Sequence, residues 1–141
     1  MKYSIGVDPD SDKMGVAIYI DGKIDSLNNW RIVDFVGWLI SCNDPVEVSI
    51  EDVMSNQFVY TRNQGASKAA QSKVAMHVGR CQQNQIELQR WLDHYDISYK
   101  LFKPQNGNWA KNKAQFEMAT GWEGRSNEET RSAAFFGFKI I

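Results

Sequence analysis

Two acidic residues stand at the ends of two short segments in which apolar and polar residues alternate. Residues 3–7 lead into Asp8, and residues 46–50 lead into Glu51, and an alternation with period two is typical of β-strands. If the two strands pair in parallel, Asp8 and Glu51 project from the same edge of the sheet, whereas Asp52 is predicted to point to the opposite face. Two or three converging carboxylates can hold Mg²⁺ beside a substrate phosphate, so this edge is a candidate metal site.

Residues 126–134 contain two candidates for a third acid at this edge of the sheet. Ser126 and Glu129 have the spacing of a helix capping box, which would give Glu129 a purely structural role. Alternatively, the two alanines that follow would let this helix pack closely on the sheet and bring Glu129 to the strand-end acids. Glu128 is the second choice for the same position.

The histidine and cysteine content indicates no structural zinc. His77 and Cys81 lie four residues apart on one face of a predicted helix, a spacing that metal ions use, but no second pair accompanies them. We therefore expect a packed or solvated pair. The two cysteines, Cys42 and Cys81, are also too few for a disulfide framework and favour reduced thiols.

Charge is strongly segregated along the chain, although the net charge is only −1. Residues 1–59 carry 4 basic and 10 acidic side chains, a net charge of −6, while residues 60–113 carry 9 basic and 3 acidic side chains, a net charge of +6. An acidic part that holds cations beside a basic part that holds polyanions suits a metal-dependent enzyme acting on nucleic acid. Two solvated faces of opposite sign are the alternative explanation.

The hydropathy pattern predicts a β-β-β-α-β order followed by a long loop and helices. The hairpin signal Asp21-Gly22 joins the second and third strands, and a long helix with an apolar stripe interrupted by Gln85 follows the loop. The predicted strands are 3–8, 14–20, 23–29, 46–51 and 97–103, and the predicted helices are 32–40, 67–95, 111–120 and 126–138.

Length and composition predict one domain over residues 1–141. The chain has a mass of 16.1 kDa and 43% apolar residues, enough for a core without metal or disulfide staples. No run approaches the ~20 apolar residues of a membrane-spanning helix, and the first residues do not resemble a signal peptide. We expect a cytoplasmic protein with no membrane partner, in a bacterial cell or a phage-infected host.

Three motifs together resemble the RuvC family of Holliday-junction resolvases, within the RNase H-like (retroviral integrase) superfamily. The order of the predicted elements also matches this family over nearly the whole chain. The motifs are Ile5-Gly6-Val7-Asp8-Pro9-x-Ser11 followed by Gly15-Val16, then Ile50-Glu51-Asp52-Val53, and a last helix with an acidic first turn before Ala133-Ala134.

The resemblance implies a fold and an activity. The fold is an α/β, RNase H-like five-stranded mixed sheet, with three antiparallel strands and then parallel strands, flanked by helices. The activity is the cutting of two strands of a four-way DNA junction by a homodimer that uses Mg²⁺, with Mn²⁺ as a substitute. The implied metal ligands are Asp8 and Glu51, with Glu129 or Glu128 from the last helix.

The resemblance also assigns basic residues and exposes two departures. Lys113 and Lys103 fall where the family places basic residues near the scissile phosphate. The family usually has Gly in place of Asp10 and an acid in place of Ser132. Either Asp10 or Glu128 compensates for the missing carboxylate, or one metal is bound weakly.

Contacts with DNA are expected from the basic middle of the chain. Two aromatic residues in the loop after Glu51, Phe58 and Tyr60, are candidates for stacking on unpaired bases at the crossover, or else anchor the loop to the core. The candidates for phosphate contacts are Arg62, Lys68, Lys73, Arg80, Lys100, Lys103, Lys111 and Lys113.

Two other functions remain open at this point. The lack of an acid at Ser132 is compatible with a weakly active or inactive junction-binding protein. A broader nuclease that cuts flaps, forks or other branched DNA is equally compatible with the fold, because a fold alone does not choose a substrate.

Overall fold

The computed structural model describes residues 1–55 and 67–141, and its strands form one mixed sheet. The strands are β1 (Tyr3–Asp8), β2 (Met14–Ile20), β3 (Lys23–Trp30), β4 (Val46–Glu51) and β5 (Tyr99–Phe102). Their spatial order is β3-β2-β1-β4-β5. The first three strands are antiparallel neighbours, while β4 pairs in parallel with β1 and with β5. The predicted mixed sheet is therefore confirmed.

The hairpin between β2 and β3 turns where the sequence predicts it. Asp21 and Gly22 both have positive φ angles, 49° and 85°, as the favoured two-residue hairpin turns require. The register of β1 and β2 runs from Tyr3 opposite Ile20 to Asp8 opposite Gly15. The end of β1 thus lies beside the beginning of β2.

Within residues 1–55 and 67–141, four α-helices cover the two faces of the sheet. They are α1 (Ile32–Ser41), α2 (Lys68–His94), α3 (Lys113–Thr120) and α4 (Glu128–Phe138), and short 3-10 helices span Val53–Ser55 and Trp109–Lys111. Side chains of α1 and α2 join one core cluster with the odd-numbered residues of β1, whereas α3 and α4 join a second cluster with Ala17 and Tyr19 of β2. The last helix is thus a central element that packs on β1, β2 and β4.

Glycines let α4 lie directly on the strands. A β-carbon at Gly6 of β1 would overlap the Ala133 carbonyl oxygen, and one at Gly15 of β2 would overlap the Glu129 carbonyl oxygen. The Tyr19 hydroxyl donates a buried hydrogen bond of 2.6 Å to the Ala134 carbonyl. The position of α4 on the sheet is therefore fixed by backbone contact, which side-chain repacking cannot change.

Several predicted boundaries differ from the structure. The fifth strand is four residues long, and the predicted helix 111–120 is a 3-10 turn followed by a helix that begins at Lys113. The long helix ends at His94, and Gln85 is a fully buried member of its inner face. Within the described ranges, none of the helices combines the length and hydropathy needed to cross a bilayer.

Candidate active site

Asp8 and Glu51 lie side by side at the ends of neighbouring parallel strands. Val7 of β1 is in register with Ile50 of β4, and each acid is the next residue of its strand. Because side chains alternate along a strand, the two carboxylates share one face of the sheet. This is the face that α4 covers, since Gly6, two residues before Asp8, contacts the same helix.

Burial makes these two carboxylates unusually basic. The pKa of Asp8 is raised well above its usual value, first by burial and then by the negative charge of Glu51, with smaller contributions from Asp10 and Glu129. Burial raises the pKa of Glu51 to about 7. Among the described residues, no lysine or arginine contributes to either shift. In the described part of the chain, no basic side chain therefore offsets the charge of Asp8 and Glu51, and a divalent cation with oxygen ligands would do so.

Glu129 reaches this site because of the way α4 crosses the sheet. Its backbone lies against Gly15, and Gly15 is the register partner of Asp8. The Glu129 side chain is partly buried, and its charge raises the pKa of Asp8. Glu128 is exposed and is not among the groups that shift this pKa. The geometry therefore favours Glu129 over Glu128 as the third acid.

The capping box predicted for Ser126 and Glu129 is wrong. Asn127 is the N-cap of α4, and its side chain accepts a 2.9 Å hydrogen bond from the Thr130 amide. The Thr130 hydroxyl in turn accepts a 2.9 Å bond from the Asn127 amide. Ser126 and Asn127 are both good cap formers one residue apart, and local preference does not separate them. Glu129 does not take part in the capping box.

Ser132, at the position where the resemblance to RuvC implies an acid, lies beside Asp8. It is buried one turn after Glu129, and its hydrogen bond with the Asp8 side chain lowers the pKa of Asp8. The Asn108 side-chain amide lies 3.4 Å from the Ser132 hydroxyl and donates to it. A neutral hydroxyl at this position orients Asp8 without adding a further negative charge.

Gln85 fixes the chain immediately after Glu51, a role that the sequence pattern does not reveal. Its carbonyl oxygen accepts a 2.8 Å bond from the Val53 amide, and its amide donates a 2.8 Å bond to the Asp52 carboxylate. Asp52 thus faces α2, away from the α4 face, as predicted. The only signal in the sequence is a polar residue within an apolar helical stripe.

The predicted basic residues are placed on two segments. Lys68, Lys73 and Arg80 are exposed along α2, and Lys103, Lys111 and Lys113 are exposed in the stretch that leads to α3. Lys100 forms an ion pair of 3.6 Å with Glu47. Within residues 1–55 and 67–141, none of the other six forms an ion pair.

The stretch before α3 is held beside the candidate site. The Arg131 guanidinium of α4 donates bonds of 3.0 and 2.8 Å to the Ala110 carbonyl. Lys111 and Lys113 follow this anchored position on the side of the sheet that carries α4. Phe58, Tyr60 and Arg62 lie outside the described residues.

The structure is similar to that of T. thermophilus RuvC in complex with a Holliday junction substrate. The TM-score is 0.59 at 12% sequence identity, over 95% of this chain and 89% of that chain. No protein-family model and no curated protein sequence matches the chain. At this identity the likeness establishes the fold, which is an RNase H-like mixed sheet flanked by helices.

Proposed function

We propose that the chain is a single-domain, divalent-metal-dependent endodeoxyribonuclease that resolves four-way DNA junctions as a homodimer. The observation that carries this proposal is the convergence of Asp8, Glu51 and Glu129 from three distant parts of the chain in an RNase H-like fold, with no lysine or arginine of residues 1–55 and 67–141 among the groups that shift the pKa of Asp8 or Glu51. The bound DNA of the structural neighbour supports the choice of substrate.

The donor set fits a hard cation. Carboxylate oxygens are the ligands that Mg²⁺ and Mn²⁺ prefer. The pKa of Asp8 is raised first by burial and then by the negative charge of Glu51, and a bound cation would offset that repulsion. Asp8, Glu51 and Glu129 would hold Mg²⁺, with Mn²⁺ as a substitute. When bound, the metal supplies activation of a water nucleophile and stabilisation of the leaving 3′ oxygen.

The other residues of the site position the acids and the DNA. The hydrogen bond with Ser132 orients Asp8, and Gln85 fixes the chain after Glu51. Lys113 would neutralise charge at the scissile phosphate, and Lys103 would hold an adjacent phosphate. The exposed basic residues of α2 and of the stretch before α3 would hold the DNA backbone, and Phe58 and Tyr60 would stack on bases unpaired at the crossover.

A junction-binding protein with weak or no cleavage is the second candidate. The observation that favours it is the hydroxyl of Ser132 at a position where RuvC-like sequences usually carry a carboxylate. One ligand fewer weakens metal binding, and the chain would then bind junctions without cutting them.

A substrate panel separates the candidates. The protein is incubated with an end-labelled four-way junction, a fork and a linear duplex, each with Mg²⁺, with Mn²⁺ or with EDTA. Resolution predicts paired symmetric nicks in the junction alone and no nicks in EDTA. Tight binding of the junction without nicks under either metal supports the inactive binder, and nicks in fork and junction alike support a broader branched-DNA nuclease. Cleavage that persists in EDTA would contradict metal dependence.

A further inference from the structure

Three side chains that can bind a transition metal meet beside the acidic site. Asp10 follows β1, while His77 and Cys81 lie one turn apart on α2. The Asp10 carboxylate oxygen Oδ1 is 3.8 Å from Cys81 Sγ and 3.8 Å from His77 Nε2, and those two atoms are 3.6 Å apart. From the helical spacing alone, His77 and Cys81 are expected to be a packed or solvated pair. The structure adds Asp10, from the connection between β1 and β2, as a third possible metal ligand.

The separations are close to those of ligands around a common centre, and the two that involve Asp10 are slightly longer. With metal–sulfur bonds of about 2.3 Å and metal–nitrogen or metal–oxygen bonds of about 2.0–2.2 Å, the edges of a tetrahedral site measure roughly 3.3–3.6 Å. A direct hydrogen bond between an imidazole nitrogen and a carboxylate measures about 2.8 Å, much less than the observed distance. The His77 imidazole and the Asp10 carboxylate are therefore too far apart for a direct hydrogen bond, while Cys81 Sγ lies within the longer hydrogen-bond distance of sulfur from both.

Neighbouring groups hold the donors in place. The Asn84 side-chain amide of α2 donates a 2.6 Å bond to the Asp10 backbone carbonyl, and the Ser11 amide donates a 2.7 Å bond to Asp10 Oδ1. Cys81 is buried, whereas the His77 side chain is 53% exposed. A site with a buried thiol and an exposed imidazole leaves a fourth position open to solvent.

The donor types select the metal. A thiolate and an imidazole favour Zn²⁺ and its borderline-soft analogues, while Mg²⁺ prefers oxygen ligands alone. We propose that Asp10, His77 and Cys81 form a Zn²⁺ site with water as the fourth ligand. The Cys81 thiol gives its proton to the buffer when the thiolate binds. The bound ion links α2 to the β1–β2 connection through Asp10, which is two residues after Asp8. The site is separate from the carboxylates of the proposed nuclease.

Cobalt is the probe, because tetrahedral Co²⁺ with a thiolate ligand has a charge-transfer band in the near ultraviolet and intense visible bands. The full chain, stripped with EDTA and dialysed, is titrated with Co²⁺ in excess Mg²⁺. We expect both sets of bands at one equivalent, and their loss when Zn²⁺ displaces Co²⁺. Absence of the charge-transfer band from the wild type would overturn the proposal.

The chain offers a matched control for each ligand, since it contains two cysteines and two histidines. C81S is expected to lose the charge-transfer band, and H77Q to weaken Co²⁺ binding by more than about tenfold. C42S and H94Q should match the wild type. A band that survives C81S, or that disappears in C42S, would contradict the assignment. Because the His77 side chain is largely exposed, H77Q still decides the question if C81S does not fold.

A double variant separates this site from the proposed nuclease. D8N/E51Q removes the two strand-end carboxylates and is expected to keep the cobalt spectrum while it loses cleavage. A cobalt spectrum that disappears in D8N/E51Q would place the ion among the acids and overturn the separate site. Failure of the nuclease assay leaves the spectroscopic result unaffected.

Discussion

The backbone of Gly15 contacts the backbone of Glu129. A β-carbon at position 15 would overlap the Glu129 carbonyl oxygen, and Gly15 is also the register partner of Asp8. The missing side chain of one residue therefore allows the first turn of α4 to lie over the end of β1. Without this approach the third acid would stand away from the other two.

Replacement of Gly15 tests this contact. G15A is expected to push α4 from the sheet, to lower the free energy of unfolding by about 1–3 kcal/mol as overpacking does, and to reduce cleavage. G79A is the matched control, because Gly79 lies in the exposed part of α2 with no atom near its missing β-carbon. It should stabilise the protein by up to about 1 kcal/mol. Equal stability changes in chemical denaturation of both variants would contradict the proposed contact.

The strand-end acids are predicted to be essential for cleavage and dispensable for binding. D8N and E51Q should each reduce the nicking rate of a four-way junction by more than about 100-fold. Even the replacement of a residue that only hydrogen-bonds to a metal ligand typically lowers metal affinity or activity by about 10–100-fold. Junction affinity in a gel-shift assay should be unchanged or higher, because negative charge is removed. D12N is the control, since Asp12 is an exposed residue of the same turn that pairs with Arg31 at 3.0 Å. Full activity of D8N or of E51Q would exclude that residue from the site.

The two adjacent glutamates of α4 should behave differently. E129Q is expected to lower the nicking rate and the affinity for Mg²⁺ by more than about tenfold, because its carboxylate lies near Asp8. E128Q should remain close to the wild type, since Glu128 is exposed. Mg²⁺ titrations of the nicking rate give both values. The opposite ranking would show that Glu128 is the third ligand.

The metal-free protein should lose stability as the pH rises. Burial raises the pKa of Glu51 from its ordinary value of 4.5 to about 7 in the folded protein. Between pH 4.5 and pH 7 the folded state therefore holds a proton that the unfolded chain releases. Because of Glu51, the free energy of unfolding in EDTA should therefore fall from pH 4.5 to pH 7. The raised pKa of Asp8 acts in the same direction.

E51Q removes this dependence in part. At pH 8 in EDTA it should be more stable than the wild type by about 1–3 kcal/mol, and at pH 4.5 the two should be nearly equal. E128Q serves as the control and should follow the wild type at both pH values. Denaturant unfolding at pH 4.5, 6 and 8 measures the effect, and a wild-type protein that gains stability over this interval would contradict it.

Gln85 is predicted to act as a positioning residue. Q85L leaves the Val53 amide and the Asp52 carboxylate without their buried partner, so the free energy of unfolding should fall by about 1–3 kcal/mol. Cleavage at saturating DNA should fall about 10–100-fold at a temperature where the variant is folded, while the KM for junction stays near the wild-type value. Q83L, on the exposed side of the same helix, is the control. A loss of stability with unchanged cleavage would limit Gln85 to a structural role.

Local patterns predict the sheet and the place of its acids. Alternation is a property of neighbouring residues, so the ends of β1 and β4 at Asp8 and Glu51 follow from the sequence. A parallel pairing of these strands, which have two strands and a helix between them, is the arrangement that an α/β fold favours. Both predictions hold in the structure.

Other features depend on contacts between distant residues and could not be predicted. Asp10 is 67 positions from His77 along the chain, and only the fold brings them together. Gln85 is a polar residue in an apolar helical stripe, and its role becomes clear only from its hydrogen bonds with Val53 and Asp52 in the structure. The start of α4 was misplaced for a different reason, since two good cap formers stand next to each other at Ser126 and Asn127.

The position of α4 in the chain has a consequence for biosynthesis. Glu129 and Ser132 belong to the last helix, and this helix also completes the core against β1, β2 and β4. A nascent polypeptide that has not yet released residues 128–138 from the ribosome has neither the closed core nor the full set of acids. Under the proposed nuclease function, translation must therefore pass this helix before the set of acids is complete, and fragments that stop earlier should lack cleavage activity.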